Sequence, residues 1–397
     1  MEILKIVLIF VLIMFFLGKK MPLIIVMPAA SVLLAVLFSV PALTFISSFA
    51  MSFVSRTTLE VLLTMYFIML LEKLMMQRGY SERLLSSMDN LFHSKRMNIS
   101  LLPMLIGFLP SAGGALFSAP MVGNAAKDTA LTPEDKTFLN SLYRHLMEIF
   151  FPTYPYLIIA SQLSGLPFSR LLPILFPMAI IVYVVGQLYM RKLPRRQAFA
   201  NIARGKMIAA LLGSIWPLLI LILLMMTFSL RVYAATAIAL AALIVTERLP
   251  LRDLPRLLIS INFRLLIMVL AVMAFKDTLI LCGVMDILPG AISSLPIPAF
   301  LTFSLMAVLV AFATGLSFAT VGIVLPLALA GASSVLPITV LIVLSTYCGI
   351  MITPMHLCIA LVAEYFKANL RRVLAKSLLP YFVIYMLSIG YYLLLSS

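Results

Sequence analysis

Two apolar stretches of membrane-spanning length are interrupted by glycine, serine and proline, and these interruptions hold residue types that could do chemistry. The first reads GFLPSAGGALFSAPMVG from Gly107 to Gly123, the second AFATGLSFATVGIVLP from Ala311 to Pro326. In hydrocarbon every backbone NH and C=O must be paired within the protein, so broken helix at that depth persists only where it is buried or lines a cavity. Two further spans are interrupted at Phe150-Phe151-Pro152-Thr153-Tyr154-Pro155 and at Cys348-Gly349-Ile350-Met351-Ile352-Thr353-Pro354. Proline removes an i to i−4 hydrogen bond yet fits the first turn of a new helix, and Thr353 is suited to cap one. Four half-helices are expected to begin around Gly114, Pro155, Ser317 and Pro354, each presenting unpaired NH groups and roughly half a positive charge. Such ends suit an anion, and the carbonyl ends of the preceding half-helices suit a sodium ion or a proton. Gly113, Gly114 and Gly315 let backbone approach a ligand. The hydroxyls of Ser111, Ser118, Ser317, Thr320, Thr153 and Thr353 add short polar reach, unless they bond their own backbone as such groups often do in membrane helices.

Charged side chains inside apolar spans are costly, so they are usually paired or functional. Arg144, His145 and Glu148 are spaced to share one helical face, which allows an internal Arg144–Glu148 pair or, alternatively, a coupling-ion or proton site at Glu148. His356 follows the second broken span directly and is a further coupling-ion candidate, able to titrate near neutral pH. The three cysteines, Cys282, Cys348 and Cys358, form no CxxC pair, so they read as small apolar filler and no metal site is expected.

These residues must be positioned by a polytopic membrane protein. Of 397 residues, 63% are hydrophobic and only 11% charged, against roughly a quarter charged in ordinary globular domains; the mean hydropathy is +1.15. The net charge of +15 would suggest nucleic acid in a soluble protein. Here the 29 Lys and Arg gather in short connections between apolar runs, where they set orientation, and nucleic-acid binding is excluded. Apolar runs cover about Leu4 to Phe16, Met21 to Phe38, Thr58 to Met76, Phe138 to Ala160 and Leu171 to Tyr189. A second set covers Met207 to Ser229, Tyr233 to Val245, Leu257 to Leu281, Val335 to Ala363 and Ser377 to Leu395. The first run lacks a small-residue cleavage site and is expected to be a retained span. Ten spans and two special segments result.

The two sets correspond at a constant offset of 204 residues, which places Phe312 on Phe108, Gly315 on Ser111, Ser317 on Gly113, Glu60 on Arg264 and Gly79 on Gly283. We read 1–190 and 207–397 as diverged repeats joined by a basic cytoplasmic linker at 191–206. If basic connections all face the cytoplasm, the special segment in each half cannot cross, so both are expected to be re-entrant hairpins. Both termini then lie outside, and the five-span halves are inverted relative to one another. The fold class expected is all-α. In the third and eighth spans, Glu60 with Lys276 and Glu72 with Arg264 are expected to form complementary pairs.

The inverted five-span halves, the hairpin tips PSAGG (Pro110 to Gly114) and LSFAT (Leu316 to Thr320) and the broken spans together resemble the ion transporter superfamily. That group includes citrate and dicarboxylate carriers, gluconate and arsenite permeases and some sodium/proton antiporters, and the match is to a prokaryotic branch. The resemblance implies a mobile transport domain of hairpins and broken spans that moves like an elevator against a scaffold forming a homodimer in the cell membrane. It carries over Ser111, Gly113, Gly114, Ser317, Ala319 and Thr320 as tip positions, and Thr153, Pro155, Thr353 and Pro354 as break positions, all as substrate-binding candidates. The dicarboxylate carriers' Ser-Asn-Thr tip stands here as Ser111-Ala112-Gly113 and Ser317-Phe318-Ala319.

No GxxxxGK[ST], HExxH or GxSxG occurs, which argues against an ATP-driven pump and an intramembrane enzyme. The expected function is secondary active transport of a small organic anion across the lipid bilayer, coupled to sodium or protons and without other cofactors. A sodium/proton antiporter is the alternative.

Overall fold

A computed structural model of the chain describes residues 2–19, 21–80, 83, 94–108, 114–191, 193, 204–293 and 296–397. Among them there are helices and connections but no strands, as expected of a chain that must pair its backbone within each apolar segment. The first half runs α1 (Glu2–Gly18), α2 (Leu23–Leu37), α3 (Ala42–Ser52), α4 (Arg56–Gln77), α5 (Lys95–Ile106), α6 (Gly114–Ala125), α7 (Pro133–Arg144), a 3-10 turn at Leu146–Ile149, α8 (Pro155–Ser164) and α9 (Phe168–Tyr189). After the linker come α10 (Arg204–Thr227), α11 (Val232–Thr246), the short α12 (Leu254–Leu258), α13 (Phe263–Leu281), α14 (Val284–Ser293), α15 (Ala299–Thr314), α16 (Ser317–Ala330), α17 (Val335–Ile352), α18 (Leu357–Tyr365) and α19 (Leu370–Ser396).

The protein is membrane-embedded. Among the described residues, Phe168–Tyr189, the stretch Val335–Tyr365 and Leu370–Ser396 are long and apolar enough to cross a bilayer. A fourth span arises if Leu251–Leu258 and Phe263–Leu281, bent by 47°, are counted together. Six further apolar stretches of 10–17 residues lie among the described residues. Large apolar side chains cover the outside, including Leu43, Val245 and Leu379, a surface that needs lipid.

The interior is built from helices that are apolar all round, as buried membrane helices are. α16 and α17 are buried along nearly their whole length. Small residues bring them close to their neighbours: Gly349 of α17 lies so near α15 that a Cβ there would meet the Val308 carbonyl at 2.6 Å, and Gly322 of α16 faces the Val272 side chain of α13 in the same way.

Both special segments fold back on themselves. α5 packs on α6 and α15 on α16, and Lys95 Nζ donates to the Lys127 carbonyl at 2.6 Å, so the two ends of the first segment meet. At 12 residues each, α5 and α6 rise only about 18 Å, far short of a hydrocarbon core of about 30 Å. The turn of this hairpin, with Ser111 and Gly113, lies outside the described residues. In the second hairpin the turn is short, with Gly315 left-handed at φ 65° and Leu316 extended.

Basic and polar connections bind to each other at one end of the bundle. Arg96 donates to the carbonyls of Arg191 and Leu193, and Glu247 accepts from Tyr80 at 2.8 Å. Lys376 pairs with Asp135, which also accepts from Tyr189 at 2.8 Å. Asp135 and Thr132 form the capping box that starts α7. Of the complementary pairs expected between the third and eighth spans, the one between Glu60 and Lys276 is corrected: Glu60 is taken by Arg56 and Arg231, and Lys276 pairs with its neighbour Asp277.

Candidate functional site

Each proline break is dictated by the residue before the proline. Pro Cδ pushes that residue out of the α region, so Tyr154 is extended at φ −78°, ψ 128° and Thr353 at φ −83°, ψ 139°. In the first break α8 begins at Pro155, in the first turn of its helix. The interruption is longer than the sequence suggested, since α7 already ends at Arg144 and Leu146–Ile149 is a 3-10 turn. Arg144, His145 and Glu148 therefore do not share a regular helical face; Glu148 lies within the break.

The second break differs from expectation in another way. Gly349 remains helical and Thr353 closes α17, so Thr353 is not the N-cap of the following helix. Its hydroxyl accepts from Met355 N at 3.1 Å, which turns the chain, and α18 starts only at Leu357 after an extended His356. Pro354 is exposed in the turn and is not a helix start.

The hairpin ends rest on these breaks. In the second half the Thr353 hydroxyl donates to the Phe312 carbonyl at the end of α15, and Gly315 sits against Met355, where a Cβ would come within 2.8 Å of the Met355 Cβ. In the first half Phe108 packs edge-on against Phe151 with ring centroids 4.9 Å apart. There the Tyr154 hydroxyl donates to the Gly107 carbonyl at 2.7 Å and accepts from Arg144 at 2.9 Å.

Of the tip and break candidates, Ser317 is partly exposed at the start of α16, while Ala319 and Thr320 are buried. The Thr320 hydroxyl bonds the Leu316 carbonyl at 3.0 Å, the self-satisfied arrangement common in membrane helices. Gly114 opens α6. Thr153 is buried, and its hydroxyl has no hydrogen-bond partner among the described residues, so it is the break hydroxyl with capacity for a ligand.

The two halves meet at histidine. His145, just after α7, and His356, before α18, pack edge to face with ring centroids 4.6 Å apart. His145 Nε2 is 3.7 Å from Glu148 Oε1, and Arg144 lies within electrostatic reach of Glu148, Glu72 and Cys358. Donor atoms of His145, His356 and Cys358 lie within 4.8 Å of one another. Sequence reasoning missed Cys358 and the role of His145 as partner to His356. The His356-x-Cys358 spacing was a signal, but the other histidine comes from 211 positions earlier in the chain.

Fold and site define an all-helical membrane-embedded protein whose two helical hairpins rest on broken helices. The chain belongs to the family described as "Protein of unknown function (DUF401)", whose profile matches residues 3–395. No curated protein matches it.

Proposed function

We propose that this chain is a secondary active transporter that moves a small organic anion, of carboxylate type, coupled to sodium or protons. The observation that carries the reading is the recurrence of hairpin and broken helix in both halves at one offset. Moved on by 204 residues, α5 covers 299–310, inside α15; α6 covers 318–329, inside α16; α7 covers 337–348, inside α17; and α9 covers 372–393, inside α19. Packing follows the same exchange. α8 lies on α16 and α18 on α6; α4 lies on α11 and α13 on α2; α7 meets α19 and α17 meets α9. A pseudo-twofold relation between inverted repeats generates this crosswise pattern, and transporter sites are built at such interfaces from discontinuous helices.

The side assignment fits the same reading. The connections expected to share the cytoplasmic face touch one another, at Arg96 with Arg191, Tyr80 with Glu247 and Asp135 with Lys376. Glu60 and Arg231 meet at the opposite set of ends and line a cleft of about 310 Å³ with Ser161 and Gln162. Both hairpins are then re-entrant, both termini external and the protein a homodimer in a prokaryotic cell membrane, with hairpins and breaks as the moving part, as in the ion transporter superfamily. No enzymatic step is required of it.

The placement of Glu148 within the first break favours a second reading, a sodium/proton antiporter, since it supplies the acidic group at a break that such a mechanism needs. Thermal stability of purified protein separates the two, measured against a panel of carboxylates with and without sodium and at two pH values, because selective ligands stabilise by mass action. A sodium- or pH-dependent rise with one acid is expected. If no acid acts and sodium and pH alone shift the midpoint, the antiporter replaces the anion carrier.

A further inference from the structure

We infer that His145, His356 and Cys358 form a transition-metal site, best suited to Zn2+, at the point where the two halves meet, with Glu148 completing the ligand set. Two imidazoles, a thiol and a carboxylate are the donors that Zn2+ takes in tetrahedral sites. The three donors of the core set lie within 4.8 Å of one another. Ligands around a tetrahedral Zn2+, at bonds of about 2.0–2.3 Å, stand roughly 3.5 Å apart, so metal binding has to draw these atoms together by about 1 Å.

The hydrogen bonds of the two rings provide the stronger argument. His145 Nδ1 is 2.7 Å from the Ser141 carbonyl and His356 Nδ1 is 3.1 Å from the Ile350 carbonyl. A carbonyl only accepts, so each Nδ1 carries the proton and each Nε2 keeps its lone pair. Metal-binding histidines are commonly oriented in this way, with the second ring nitrogen donating to a backbone carbonyl. The Glu148 carboxylate lies 3.7 Å from His145 Nε2, on the side away from the Ser141 bond. His356, Cys358 and Glu148 are only partly buried, which gives an ion access, whereas His145 is buried.

Charge also balances. Binding displaces the Cys358 proton, and the resulting thiolate with the Glu148 carboxylate offsets the two charges of the ion. The inference does not depend on transport, since a metal bound here ties α7 to α18 whatever the protein carries.

The test uses the full chain in detergent, with its affinity tag removed and metal stripped by chelator, titrated first with Co2+ and then with Zn2+. Expected are the visible bands of tetrahedral Co2+, a near-ultraviolet sulfur-to-cobalt band at one equivalent per chain, and bleaching of both by Zn2+. Cys358→Ser should lose the sulfur band and His356→Gln should weaken binding at least about tenfold, each with the metal-free thermal midpoint of the parent. Should His356→Gln fail to fold, Cys358→Ser alone decides. Octahedral Co2+ spectra in the parent protein, or a sulfur band that persists in Cys358→Ser, would overturn the site.

Discussion

Thr353 shows how one residue ties two elements together. It precedes Pro354, is held extended, donates to the Phe312 carbonyl and accepts from Met355 N. Thr353→Val keeps the shape but leaves the Phe312 carbonyl without this donor. A loss of about 1–3 kcal/mol is expected, read as a lower thermal midpoint, with Thr353→Ser restoring most of it. That a break lies here was legible from proline alone. That Thr353 ends one helix without starting the next was not, because the turn through Met355 depends on tertiary contact with the hairpin. For Glu148 two readings were open from the sequence, ion pair or coupling site, and a neutral substitution separates them. Glu148→Gln should abolish the pH dependence of uptake in reconstituted vesicles while the protein remains folded. Unchanged coupled transport would remove Glu148 from the mechanism.

Hairpin and break act as paired elements, and glycine makes the second pairing close. Gly315 combines a left-handed φ of 65° with contact against Met355. In Gly315→Ala the left-handed backbone alone costs about 1–2 kcal/mol, and the added methyl must also displace Met355, so a lower midpoint is expected in thermal unfolding. A midpoint equal to that of the parent would show that the tip is loosely held. At the basic end, α7 is fastened to α19 through Asp135. Burial raises its proton affinity, but hydrogen bonds from Lys376, Thr132 and Tyr189 outweigh this and hold the carboxyl below the ordinary aspartate value. A depressed folded value means that this stabilisation is complete above the unfolded value of about 3.9 and is lost as pH falls through the lower folded one. Thermal midpoints followed through acid should therefore drop less steeply in Asp135→Asn than in the parent. The elements themselves were readable from hydropathy and proline, while their lengths were not: the early end of α7 at Arg144 and the short apolar helices depend on neighbours that the sequence does not name.

Across the whole molecule, the repeat proposed from the sequence was drawn from residues such as Gly79 and Gly283, which both stand left-handed after a long helix, at φ 71° and 65°. The contact of His145 with His356 was not visible, since neither residue falls on a matching position of the other half and only the crosswise packing of α7 and α18 brings them together. The reading that joins these observations is gradient-driven movement of an anion past two hairpins and two breaks. Its most direct test is uptake of labelled carboxylates into liposomes holding the purified chain, under an imposed sodium or proton gradient. Accumulation of one acid that collapses when the gradient is dissipated is the predicted result. Exchange of sodium for protons with no acid accumulated under either gradient would contradict it.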